Sequence, residues 1–102
     1  MTPAEAWIRG RLGDAPPALL AEMIGALPAD ASLPIPAAMG QGAHSLLATL
    51  SGEPRSEALP LLAADALLTH AFAAQAELDP DGIAALAERW GAAGALGEMA
   101  AR

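Results

Sequence analysis

Apolar positions recur at helical spacing along nearly the whole chain, and they are densest between Ala58 and Gln75, ALPLLAADALLTHAFAAQ. Only Asp65, Thr69 and His70 interrupt this run. On a helical wheel Leu61, Asp65, Leu68 and Phe72 form one stripe. Leu67 and Leu78 lie nearly opposite, and Leu59, Ala63 and Ala66 fill a third sector. A helix apolar around most of its circumference is expected at the centre of a bundle, with neighbours on every side. Asp65 is then the odd residue, because a buried carboxylate needs a hydrogen-bond partner or takes up a proton. Thr69, one turn later, is the partner at hand. Asp65 is either a satisfied structural group or a polar group facing a ligand cavity or a second subunit.

The other elements follow in order. Thr2-Pro3-Ala4-Glu5 has the form of a capping box with Pro at the first helical position, and it opens a helix carrying Trp7, Ile8 and Leu12. Arg9 and Arg11 fall near its C-terminus, where the helix dipole favours cations, and read as a solvated face. Asp14 is placed to cap a second helix, whose Leu19, Leu20, Met23, Ile24 and Leu27 make an amphipathic stripe and which Pro28 stops. Residues 28–36, PADASLPIP, have no helical period and predict an extended linker. A third helix buries Met39, Ala43, Leu46, Leu47 and Leu50, with His44 off that stripe at the core edge or surface. Gly40-Gln41-Gly42 lacks the third glycine and the strand of a phosphate loop. Ser51-Gly52 ends this helix, and Pro54 or Ser56 starts the central one; from Pro54, the helix is kinked at Pro60. Asp79-Pro80-Asp81 caps a last helix with Ile83, Leu86 and Trp90 on one face. Beyond it Gly91, Gly94 and Gly97 recur at intervals of three. Either they form a helix face that admits another helix very closely, or Gly91 is a simple cap.

The prediction is an all-α, five-helix bundle around a central apolar helix at about 55–78. The helices lie near 3–12, 16–27, 36–50, 55–78 and 80–99. One domain, 1–102, comprises an N-terminal helical pair (1–27), a linker (28–35) and a three-helix unit (36–100).

Composition narrows the partners. The 102 residues carry five Arg and no Lys against twelve acidic residues, a net charge of −7. That balance argues against nucleic acid and anionic membranes. No Cys is present, which excludes disulfides and thiolate metal sites and fits a cytoplasmic location. The start lacks the apolar core of a signal peptide. No apolar run reaches the roughly 18 residues of a membrane span. The hydrophobic fraction of 54% is mostly Ala, with one Phe, two Trp and no Tyr. Ala favours helix but buries little area, so the core is thin and a homo-oligomer or a helical protein partner is expected.

Two stretches carry a family resemblance. Leu61 to Phe72, LLAADALLTHAF, resembles the LAGDALL run on a long internal helix of the polyprenyl synthetases, the trans-isoprenyl diphosphate synthases. Trp90 to Met99, WGAAGALGEM, is similar to that family's AGAxGMVGGQ pattern, and the order agrees. The resemblance covers residues 58–99. Synthases of that family hold magnesium through two DDxxD-type motifs, and this chain's five Asp (14, 30, 65, 79 and 81) include no adjacent pair. Their diphosphate-binding basic residues have no match beyond Arg55, and Met99 replaces the Gln of the tail. What the resemblance implies is therefore the helical arrangement and a role for Asp65, with no catalytic residue, metal or cofactor.

Three functions fit these observations. The first is a non-catalytic, prenyl-synthase-like helical protein acting as a partner or small regulatory subunit. The second is a helical interaction module unrelated to isoprenoids. The third is an isoprenoid- or lipid-binding protein with a cavity lined by Asp65, Thr69, His70 and Phe72. Asp65 and His70 are five residues apart and do not share a helix face, so an acid–base pair is not expected there. Asp65, Thr69, Phe72, Gly91, Gly94 and Gly97 are the candidate ligand or interface residues.

Overall fold

The computed structural model describes residues 1–53, 55–91, 94, 97 and 98. Its five α-helices are α1 (Pro3–Arg11), α2 (Pro17–Ala26), α3 (Ile35–Ala48), α4 (Ala58–Leu78) and α5 (Ile83–Trp90), with a 3-10 turn, Pro80–Gly82, before α5. No strand occurs among the described residues, so the protein is all-α as expected.

Helix ends follow local chemistry, with several departures from expectation. The Thr2 hydroxyl oxygen accepts the Glu5 N–H at 3.2 Å, the first half of a capping box. The second half is missing because the Glu5 carboxylate takes Arg9 Nε, at 2.9 Å one turn on. Asp14 does not cap α2: Pro16 stands at the cap position without a side-chain bond, and Pro17 supplies helical φ. Leu27 is extended, as the residue before a proline is pushed to be, and α2 ends there. The segment after it is not simply extended. Asp30 Oδ1 accepts both the Ser32 N–H (2.9 Å) and the Ser32 hydroxyl (2.6 Å), folding it into an Asx turn. α4 begins at Ala58, so Pro60 sits in the first turn, where a missing N–H breaks no helical bond and forces no kink. Pro54, the alternative start, lies outside the described residues. Asp79 precedes the 3-10 turn but makes no side-chain cap; its carbonyl accepts Gln75 Nε2 at 2.6 Å.

The core lies between α3 and α4, with α2 laid against both, α1 against α3, and α5 closing the end. The largest fully enclosed side chains come from four helices: Ile8, Met23, Met39 and Leu67. α4 was expected to be the most buried element, and this is not so. α3 buries six residues over 14 positions, α4 only five over 21. The buried side of α4 is the seam Ala63, Ala64, Leu67, Ala71 and Ala74. Of the stripe Leu61, Asp65, Leu68 and Phe72, the first two are exposed and the last two half-buried against the core, and Leu62 beside it is, like Leu61, 52% exposed. The facing side of α3 is equally small, with Gly40, Gly42 and Ala43 all buried. A Cβ on Gly42 would lie 3.3 Å from Leu67 Cδ1 and 3.2 Å from the Ala26 carbonyl oxygen, so α2, α3 and α4 meet at this point. Small faces let the backbones approach, and the dispersion gained at short range favours them over the bulkier leucine face.

α4 is also long and apolar enough, by length and composition, to cross a membrane, contrary to the expectation that no segment is. A helix that packs a protein core meets the same test.

Candidate functional site

The predicted site residues do not converge. Asp65 is exposed, and among the described residues it has no hydrogen-bond or ion-pair partner. Thr69 is also exposed and does not bond to it. The satisfied buried carboxylate expected at position 65 is thus replaced by a solvated one, because α4 turns its alanine seam inward and carries the 61–65 side outward. Phe72 is half-buried and packs against the core.

Of the glycine series, Gly91 and Gly94 lie outside α5, and Gly97 and Glu98 are helical again, the Glu98 N–H donating to the Gly94 carbonyl at 3.0 Å. α5 ends at Trp90, and Gly91 follows as its cap with extended backbone. The Gly94 N–H donates to the Gly91 carbonyl (3.0 Å), as does that of Gly97 (3.4 Å). A Cβ at Gly94 would run into the backbone carbonyls of Glu88 and Arg89, which accounts for glycine there. Residues 92, 93, 95, 96 and 99, part of the predicted last helix and of the stretch likened to the synthetases, lie outside the described residues.

Two aromatic clusters tie the outer helices down. Trp7 of α1 packs against His70 of α4, ring centroids 6.2 Å apart, with the Arg11 guanidinium 5.2 Å from the indole centroid. Trp90 of α5 packs against His44 of α3 at 5.9 Å, with Arg89 5.3 Å from its indole. Trp90 is 7% exposed and lies flat on Gly40, where a Cβ would come within 2.6 Å of the ring. Gly40-Gln41-Gly42 is therefore a packing device inside a helix, not a loop. The indole nitrogens of Trp7 and Trp90 and Nδ1 of His44 are buried with no hydrogen-bond partner among the described residues. His70 belongs to the Trp7 cluster and does not join Asp65.

Charge links the ends. The Arg11 guanidinium donates both outer nitrogens to the Glu77 carboxylate, joining α1 to the end of α4 across 66 residues. The Glu77 hydrogen bond, then its charge, raises the Arg11 pKa above its ordinary value. The arginine pair is solvated as expected, and each member also makes an ion pair, Arg9–Glu5 and Arg11–Glu77. Before α4, the Glu57 carboxylate reaches back to accept the Ser51 hydroxyl (2.7 Å), the Ser51 N–H and the Gly52 N–H (2.9 Å). These donors hold its pKa below the usual range, the Ser51 hydroxyl contributing most.

What remains as a surface for recognition is the first half of α4. Ala58, Leu61, Leu62 and Asp65 line a shallow depression, and Leu59, 37% exposed, flanks it. A second concavity, a groove of about 670 Å³, runs between residues 31–37, the end of α4 and α5. It is lined chiefly by Leu33, Pro34, Ile35, Leu78 and Leu86, with Arg89 among its polar lining residues. None of Asp65, Thr69, His70 and Phe72 contributes to it. Among the described residues no three His, Asp or Glu side chains cluster as metal ligands would. Comparison of the chain with family models, with curated proteins and with solved structures finds no match.

Proposed function

We propose that this chain is a small helical partner or regulatory subunit that docks through the first half of α4. The observation that carries this reading is the exposure of Leu61 and Leu62, 52% each, beside Leu59 on a helix only partly covered by its own fold. Bare leucines within a single turn cost solvation until a partner covers them, and grouped exposed apolar side chains mark interaction sites. The resemblance to the polyprenyl synthetases falls on this same helix. A photo-crosslinking amino acid in place of Leu62 tests the reading in cells. The expected result is one discrete adduct, absent when the same group replaces exposed Ala18 of α2. No adduct from position 62 overturns it.

A second reading, an isoprenoid- or lipid-binding protein, is supported by the apolar groove beside α5. Trp90 fluorescence titrated with a long-chain isoprenoid alcohol is its test, since Leu86 of the groove lies one turn from Trp90. Saturable quenching at a 1:1 ratio supports the reading, and an unchanged spectrum removes it.

A further inference from the structure

We propose that the docking surface of α4 takes a second copy of this chain, the two α4 helices lying antiparallel with their two-fold axis level with Pro60. The proposal rests on the reading of that surface given above and names its occupant.

Three features carry it. Arg55, Ala58, Leu62 and Asp65 are spaced at three, four and three residues and are all exposed. Ala58, Leu62 and Asp65 share one face of α4, and Arg55 stands just ahead of it, in the turn whose Glu57 N–H donates to the Glu53 carbonyl at 3.1 Å. Within the stripe charge and size are distributed in a self-complementary way. Cationic Arg55 lies five residues before Pro60 and anionic Asp65 five after it, and neither has an ion-pair partner among the described residues. Two such helices, antiparallel about Pro60, bring Arg55 against Asp65 twice. The same register sets Ala58 against Leu62, a small side chain opposite a large one, with Leu59 beside its own copy on one flank and Leu61 beside its own copy on the other. An isologous two-fold contact requires this kind of self-matching surface.

The contact is small. Its apolar centre is three part-exposed leucines a side, which puts it below the roughly 1,200 Å² of a standard interface and in the weak class. The net charge of −7 also repels a second copy at long range. Physiological salt screens that repulsion more than it screens ion pairs in contact. The dimer is therefore concentration-dependent and best observed at such ionic strength.

The register is tested by charge reversal followed by sedimentation equilibrium. Arg55→Asp leaves two acidic residues facing two acidic residues, and Asp65→Arg leaves two basic facing two basic. Each variant alone should lose at least about tenfold in self-association, since attraction becomes like-charge repulsion at both contacts. Mixed one to one, the two variants should recover association with each other, because both cross-contacts are then opposite in sign. Both positions are exposed, and circular dichroism confirms that each variant folds. A wild-type protein that stays monomeric at millimolar concentration overturns the second-copy occupant. So does a dimer indifferent to both reversals, which must use another surface or register. The photo-crosslink at position 62 separates this failure from that of the parent reading. An adduct with a different protein leaves the α4 surface standing without self-association, and no adduct ends both.

Discussion

Asp65 shows how much turns on which side of a helix faces in. As an exposed carboxylate without a partner it contributes as ordinary surface residues do, so Asp65→Asn should change the stability of dilute protein by less than about 0.5 kcal/mol. Thermal melts at pH 7 check this; a loss of about 1–3 kcal/mol would restore a bonded, buried Asp65. Glu57 behaves differently. Its pKa is lowered in the fold by Ser51, so its contribution is present above the unfolded carboxylate value and is lost as pH falls through the lower folded one. Carboxyl NMR titration should place Glu57 below an ordinary glutamate side chain, and Ser51→Ala should raise it. An unchanged Glu57 titration in that variant would remove Ser51 as the cause. Beside it, Gly52 has φ of +94°, in the left-handed region. Gly52→Ala should cost about 1–3 kcal/mol in chemical denaturation, although nothing crowds the position. None of this was legible in the sequence beyond the glycine cap: a carboxylate reaching back six residues to a loop leaves no periodic trace.

At the scale of elements, the helices were legible and the burial was not. Caps and prolines mark α1 to α4 within about three residues, because a Pro restricts both itself and its predecessor. Orientation failed for α4 because Leu and Ala both count as apolar, so a helix apolar all round offers no wheel position that must be inside. The choice was made by shape, the alanine seam of α4 meeting the glycines of α3. Gly40-Gln41-Gly42 carried the missing signal: two glycines in mid-helix are costly unless something lies against them. Gly40→Ala tests that account. The new methyl would meet the Trp90 indole at 2.6 Å, so α5 must shift, at a cost of about 1–3 kcal/mol. Chemical denaturation measures it, and the same substitution at Gly25, which has open space, supplies the control. If Gly40→Ala is no worse than Gly25→Ala, Trp90 is not seated as described.

For the whole molecule, the long-range links come from residues that local pattern cannot pair. Arg11 and Glu77 are 66 positions apart and join the first helix to the end of α4. Both are about half exposed, so their coupling should be small and should fade with added salt. A double-mutant cycle with Arg11→Ala and Glu77→Ala at two ionic strengths reads it directly; coupling that persists in high salt would contradict a solvent-screened pair. The two tryptophans give the molecule one more property. They sit on the outermost helices, Trp7 on α1 and Trp90 on α5, each against a histidine of the inner pair. Intrinsic fluorescence is thus a two-channel reporter, one for each end of the bundle. Trp7→Phe leaves a probe that sees only α5 lifting from α3, and Trp90→Phe one that sees only α1 parting from α4. In this optical readout Gly40→Ala should red-shift the first probe and leave the second where it was, which would let the order in which the two ends come loose be followed without any label.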